Sequence, residues 1–228
     1  SQYDVLIEKC KKLDIDFMST PYNFEDVDFL DNLGVFGFKV ASGQLTELPF
    51  LEYVAKKNKL IIISTGMANM SEVFDAVRCI KGSGNNNIIV LQCTTNYPSD
   101  IQDANLLAMK NIANACDVSV GYSDHVINNY ACYGAVALGA KVIEKHFTLD
   151  KSMEGPDHSS SSNPTEFSEL VQAIRNIELS LGSGLKVPSK KEKKNIFGMK
   201  RSIVLNRDLH KGEIIKISYI SFKRPANG

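Results

Sequence analysis

Two histidines stand where short apolar runs end. His125 closes GYSDH at 121–125, and His146 lies in EKHF at 144–147. If the two runs are neighbouring parallel strands, about 5 Å apart, both imidazoles can reach one divalent cation. Neutral imidazole suits such metals. The alternative is one hydrogen-bonded histidine and one loop histidine. Glu144 lies two residues before His146, so both side chains leave the strand on one side and Lys145 on the other. A carboxylate there can orient a ligand or a water, or be a structural acid paired to a lysine. Lys39 interrupts the apolar run FGFKV at 36–40. A buried lysine must pair or bind an anion; a Schiff-base role, as in barrel aldolases, is open to it. Thr20, Ser42, Ser64 and Ser123 each follow an apolar run. Converging, they would hydrogen-bond phosphate oxygens; singly, each reads as a turn or cap residue. Gly155-Pro156-Asp157-His158 reads as a loop. On charge alone, Lys223-Arg224-Pro225 reads as a solvated turn.

The elements that must position these residues are legible as a repeat. Strand-like runs lie at 15–18, 36–40, 60–64, 87–91, 117–121 and 141–147. Stretches with helical apolar spacing lie at 3–13, 24–33, 48–57, 70–81, 104–115, 130–140 and 165–181. Ser71 with Glu72 and Asn163-Pro164 read as helix starts. Strand, loop and helix in alternation mean βαβ units and a parallel sheet. No G-x-G-x-x-G and no P-loop motif serves an open nucleotide-binding sheet. Polar residues instead follow nearly every strand, the pattern of a (β/α)₈ barrel with its function at the C-terminal strand ends. Six of eight strands are legible, so about two βα units are expected to be missing before the first residue. The expected organisation is a partial barrel at 1–182, a basic linker at 183–198 and the start of a small β domain at 199–228.

Composition narrows the function classes. The 228 residues carry 26 basic and 26 acidic side chains, and 43% are hydrophobic. That balance fits a globular chain and lacks the basic excess of a nucleic-acid binder. No apolar run approaches the roughly 20 residues of a membrane span. Five cysteines, an odd number without a CxxC, suggest reduced thiols and a cytoplasmic location.

Seven tags occur in order: FKVASGQ (38–44), STGM (64–67), CTTNYP (93–98), GYSDH (121–125), EKHFTLD (144–150), EGPDH (154–158) and KRPANG (223–228). Together they resemble the sialic acid synthase (N-acetylneuraminate synthase) family, whose relatives make legionaminic and pseudaminic acids. The resemblance implies a (β/α)₈ barrel followed by a linker and an antifreeze-like domain. It implies condensation of phosphoenolpyruvate with an N-acetylated aminosugar and release of phosphate. In that reaction C3 of phosphoenolpyruvate attacks the aldehyde carbon, water adds at C2, and the tetrahedral intermediate expels phosphate by C–O cleavage. His125 and His146 become ligands of a divalent metal, manganese, acting as a Lewis acid on the aldehyde. Thr20, Lys39, Ser42, Ser64, Thr95 and Ser123 become the phosphoenolpyruvate-binding set, with Lys39, Gln44 and Glu144 the catalytic candidates. Tyr97, Asp157 and Arg224 become sugar contacts. Arg224 would act in the partner subunit of a domain-swapped homodimer, which replaces the surface reading of that turn.

Two positions depart from the family pattern. Gln44 stands where several members have an acid; an amide can bind a hydroxyl but cannot act as a base. Thr95 stands where some have Asn. Both bear on the sugar, while the GPDH tag resembles the sialic and legionaminic branch. A Schiff-base aldolase, which borohydride would trap on Lys39, and a non-catalytic sugar-binding barrel are the competing readings.

Overall fold

The computed structural model describes residues 2–226. The chain divides into two compact units, Ser1–Leu181 and Gly182–Gly228. The first holds five parallel strands: β1 (Gly37–Val40), β2 (Leu60–Ser64), β3 (Ile88–Cys93), β4 (Ser119–Asp124) and β5 (Ile143–Lys145). They pair in sequence order, β1-β2-β3-β4-β5. A doubly wound sheet reverses its order at a switch point. No reversal occurs here, so the strands curl as one continuous arc, a half-barrel.

Helices α1 (Gln2–Lys12), α2 (Phe24–Asn32), α3 (Leu48–Ala55), α4 (Met70–Gly82), α5 (Ala108–Cys116), α6 (Tyr130–Ala137) and α7 (Pro164–Leu181) belong to the same unit. Strand alternation divides the side chains between two faces. Phe38, Val40, Ile61, Ile63, Val90 and Tyr122 belong to the core formed with Val27, Leu51, Val54, Val77, Ile80, Ile112 and Cys132 of the helices. Lys39, Ser64, Cys93, Ser123 and Glu144 take the other face. Register brings Cys93, Ser123 and Glu144 level in one rung, while Ser64, paired with Leu91, and Lys39, paired with Ile62, lie in rungs below it. The close packing has a cost in side-chain space at Gly121, where a Cβ would run into Val142 O and Leu91.

Three expectations need correction. The run at 15–18 forms no strand; its neighbourhood makes a single bridge, Ser19 to Phe38, with Lys39 N–H donating to Ser19 O at 3.2 Å. Ile15 is 60% exposed and α1 has no buried residue. Without cover, the run lacks the two buried faces a parallel strand needs. Helix α4 is capped by Asn69, not opened at Ser71: Asn69 and Glu72 close a reciprocal capping box. The expected linker at 183–198 contains most of α8 (Lys190–Met199), capped in the same way by Ser189 and Glu192.

In the second unit α8 precedes an antiparallel pair, β6 (Ser202–Leu205) with β7 (Ile220–Lys223). Ser202 Oγ donates to Pro225 O at 3.1 Å, and Ala226 N–H donates to Phe197 O at 2.8 Å. Asn227 and Gly228 of the KRPANG tag lie outside the described residues. Among the described residues no helix is long and apolar enough to cross a membrane.

Candidate active site

A cavity of about 430 Å³ opens at the C-terminal ends of β1–β5. Ten of the residues singled out in the sequence line it: Thr20, Lys39, Ser42, Ser64, Thr95, Tyr97, Ser123, His125, Glu144 and His146. Its size suits a small-molecule site.

Lys39 is the cation of the cavity floor. Its Nζ lies 3.5 Å from Glu144 Oε2 and donates to Val40 O at 3.1 Å. Its side chain is 14% exposed, against 40% for Glu144. Glu144 is fixed from the neighbouring strand, since Ser123 Oγ donates to its Oε1 at 2.7 Å. Engaged by two acceptors, Nζ is arranged to hold an anion; a Schiff base would have to break both contacts first.

The hydroxyls form the opposite wall. Gly66 N–H donates to Ser42 Oγ at 3.0 Å. Ser42 Oγ in turn lies 3.7 Å from Cys93 Sγ. Ser64 Oγ and Thr95 Oγ1 are buried and have no protein partner. Buried hydroxyls ordinarily find one. Two orphaned donors and a lysine around one cavity are what a phosphate or carboxylate would satisfy.

The imidazoles lie 5.1 Å apart, centroid to centroid, with the Tyr97 ring 4.2 Å from His125 and 5.5 Å from His146. His125 Nδ1 is 2.8 Å from Thr94 O. A carbonyl can only accept, so Nδ1 is the donor, and in the neutral ring the lone pair is on Nε2. Burial, and secondarily the nearness of His125, holds His146 below the usual histidine range. Burial first, then Cys93, pushes the Tyr97 phenol up, so it stays protonated. Two neighbouring imidazoles can serve as metal donors, although among the described residues no group of three His, Cys, Asp or Glu forms a ligand set. Two imidazoles are one donor fewer than the three protein ligands a catalytic zinc site ordinarily has, so substrate or water would have to supply the remaining positions of any bound ion.

Asp157 does not line the cavity but approaches it, with Oδ2 3.8 Å from His146 Nδ1. Gln44 does not line it either. It is buried in the turn after β1, with both amide atoms unpartnered. Arg224 follows β7, in the second unit. Tyr22, Met67 and Cys93 line the cavity without having been singled out. Cys93 ends the apolar run of β3, and its place one residue before the threonines is the signal that could have marked it.

Parallel strands in sequence order, with lysine, hydroxyls and imidazoles gathered at their C-terminal ends, define a barrel-type enzyme site. Residues 1–186 match the NeuB family, and the chain belongs to that family. It is 48% identical over 225 residues to the N,N'-diacetyllegionaminic acid synthase of Campylobacter jejuni, covering 98% of this chain and 67% of that protein. Its identity to the enzyme of the same name from Legionella pneumophila is 44%, over 98% of this chain and 64% of that one. The sialic acid synthetase of Leptospira borgpetersenii superposes with a TM-score of 0.79 at 34% identity, over 84% of this chain and 67% of its own. The chain thus spans about two thirds of the length of these relatives. The family resemblance carried by the seven tags holds.

Proposed function

We propose that the complete protein condenses phosphoenolpyruvate with an N-acetylated aminosugar in its open-chain form, giving a nine-carbon sialic-acid-type sugar and inorganic phosphate. The observation that carries this reading is the single cavity in which Lys39, the orphaned hydroxyls of Ser64 and Thr95, and the two imidazoles meet. Lys39, Ser42, Ser64 and Thr95 hold the phosphate and carboxylate of phosphoenolpyruvate, with Thr20 and Ser123 completing the set. Glu144, held by Ser123 and Lys39, fixes the lysine and orients polar groups of the substrates above it. His125 and His146 would hold a divalent metal, manganese, which supplies Lewis-acid polarisation of the aldehyde oxygen. Tyr97 packs against both imidazoles and offers its phenol to the sugar. Asp157 approaches the sugar from beyond His146. The family resemblance supports a domain-swapped homodimer in which Arg224 reaches the N-acetyl group in the other subunit's site.

Within that class we favour 2,4-diacetamido-2,4,6-trideoxymannose, the legionaminic-type acceptor. The support is the order of identities: 48% and 44% to two legionaminic acid synthases, against 38% to the pseudaminic acid synthase of Campylobacter jejuni. The test is a phosphate-release assay on the product of the complete reading frame. It compares this sugar with N-acetylmannosamine and its 6-phosphate. The diacetamido sugar is expected to give the highest kcat/KM, with activity abolished by EDTA and restored by Mn²⁺. No phosphate from any of the three would refute the condensation; full activity in EDTA would refute the metal.

A further inference from the structure

Behind the cavity, on the helix-facing side of the same strand ends, lies a cluster for which the chemistry above has no use. Asp124 and Lys145 face each other in the last rung of the β4–β5 ladder. Their side chains form a 2.7 Å ion pair, 0% and 2% exposed. Asp124 Oδ1 accepts from Tyr122 Oη and from Val126 N–H, each at 3.0 Å. Its Oδ2 accepts from Lys145 and, at 3.1 Å, from Cys132 Sγ. Lys145 Nζ also donates to Val126 O and, at 3.3 Å, to Asn128 O. A charged pair in an apolar layer is no gain in stability over a well-packed apolar pair. Its location suggests another use.

Each member immediately precedes one imidazole. Asp124 is followed by His125, and Lys145 by His146. The residue on the other side of His125 is held as well: Val126 gives its N–H to Asp124 and its carbonyl to Lys145. One lysine on β5 therefore holds the carboxylate before the histidine on β4 and the backbone carbonyls of Val126 and Asn128 after it. The inner face of the adjacent rung repeats the link, with Ser123 bonded to Glu144. We propose that Asp124 and Lys145 are positioning residues: the buried pair locks the ends of β4 and β5 together and so sets the spacing of His125 opposite His146 and keeps its Nδ1 against Thr94 O, the contact that selects its tautomer. Neither touches substrate. The inference rests on the reading of the two histidines as a metal pair, and its consequence for tautomer can be read without metal.

The test uses the double variant Asp124→Asn with Lys145→Met in the complete protein. It removes both charges together and leaves an acceptor for Tyr122 and Val126. Melting temperature and circular dichroism report folding. Mn²⁺ affinity is measured by calorimetry on the metal-free protein. Imidazole ¹⁵N shifts report tautomers. The expectation is a folded variant whose Mn²⁺ Kd rises about tenfold, the low end of what outer partners of metal ligands contribute. His125 should lose its single Nδ1–H tautomer. A folded variant with unchanged Kd and unchanged tautomer would overturn the inference, since a merely structural pair would move only the melting temperature. If the natural protein itself binds no Mn²⁺, the metal reading falls and the tautomer alone decides: a retained Nδ1–H signal in the variant overturns positioning, and its loss supports it. Should the double variant not fold, Lys145→Arg, which keeps the charge while moving the donors, is read on the same two measurements against the same outcomes.

Discussion

Gly66 shows how closely single atoms are constrained in this cavity. Its N–H holds Ser42 Oγ, and a Cβ added there would overlap Thr95 Oγ1 and come within 2.9 Å of Ser42 Oγ. Its φ is not in the left-handed region, so alanine is tolerated by the backbone. The conflict is mainly with two hydroxyls, one of which can rotate away, and leaves Thr95 Cβ tight at 3.1 Å. Gly66→Ala is therefore expected to lower stability by about 1 kcal/mol or less, the scale of one displaced rotamer. Affinity should suffer more. Turning Thr95 and pushing Ser42 disturbs two hydrogen bonds at about 1 kcal/mol each, so KM for phosphoenolpyruvate should rise about tenfold or more with kcat little changed. Steady-state kinetics beside a thermal melt would check this; an unchanged KM would remove both hydroxyls from the anion site. Residues of this kind were legible in the sequence when their type conflicted with its setting. A lysine within FGFKV and histidines at the ends of apolar runs are such conflicts. Cys93 and Met67 create none, so nothing in the sequence singled them out. Gln44 is a further conflict of type and setting: a polar residue in a loop tag that the short 3₁₀ turn after β1 buries, outside the cavity lining. The Asp124–Lys145 pair needed the register of two strands before it could be seen at all.

At the scale of elements, caps and cover decide where the segments begin and whether they form. The Asn163 start of α7 was legible, and the reason is visible: Asn163 Oδ1 accepts from Glu166 N–H, and Glu166 Oε2 accepts from Asn163 N–H, each at 3.0 Å. The same box at Ser189 and Glu192 was present in the sequence as S-x-x-E, but four lysines around it read as a solvated linker. The strand expected at 15–18 failed because strand propensity cannot supply a covering layer. The α7 box makes a pH prediction. The Lys151 ammonium first, and the Asn163 N–H second, hold the Glu166 carboxyl below its ordinary range. A carboxylate with a depressed folded value contributes stability above its unfolded value and loses it as pH falls through the folded one. Glu166→Gln should therefore lower the melting temperature at neutral pH. The gap to the natural protein should close as pH falls through the carboxylate range of about 3–5. Glu166 is 40% exposed, so the effect is modest. A gap that stays constant with pH would assign the stabilisation to helix propensity instead of charge.

For the molecule as a whole, zero net charge describes the surface and says little about the site. A neutral chain with one lysine set among orphaned hydroxyls can bind an anion locally without any basic face. The division into two units has a more direct consequence. Residues 182–190 are all exposed, and both Gly182 and Gly184 take positive φ, at 59° and 75°. That backbone is available to a protease, because cleavage needs an extended segment free of helix or sheet hydrogen bonds. Within it Lys186 is a tryptic site. The lysines that follow, Lys190, Lys191, Lys193 and Lys194, lie in α8, whose first turn is closed by Ser189 and Glu192. Brief trypsin treatment of the natural protein should therefore cut first after Lys186, read by mass spectrometry as a fragment ending at that residue. Ser189→Ala would remove the cap, at a cost of about 1 kcal/mol to a helix with no buried residue, and should shift early cuts into residues 190–194. If the first cuts in the natural protein fall within α8 instead, the helix is too weakly held for its cap to matter, and the boundary between the two units lies later than Leu181.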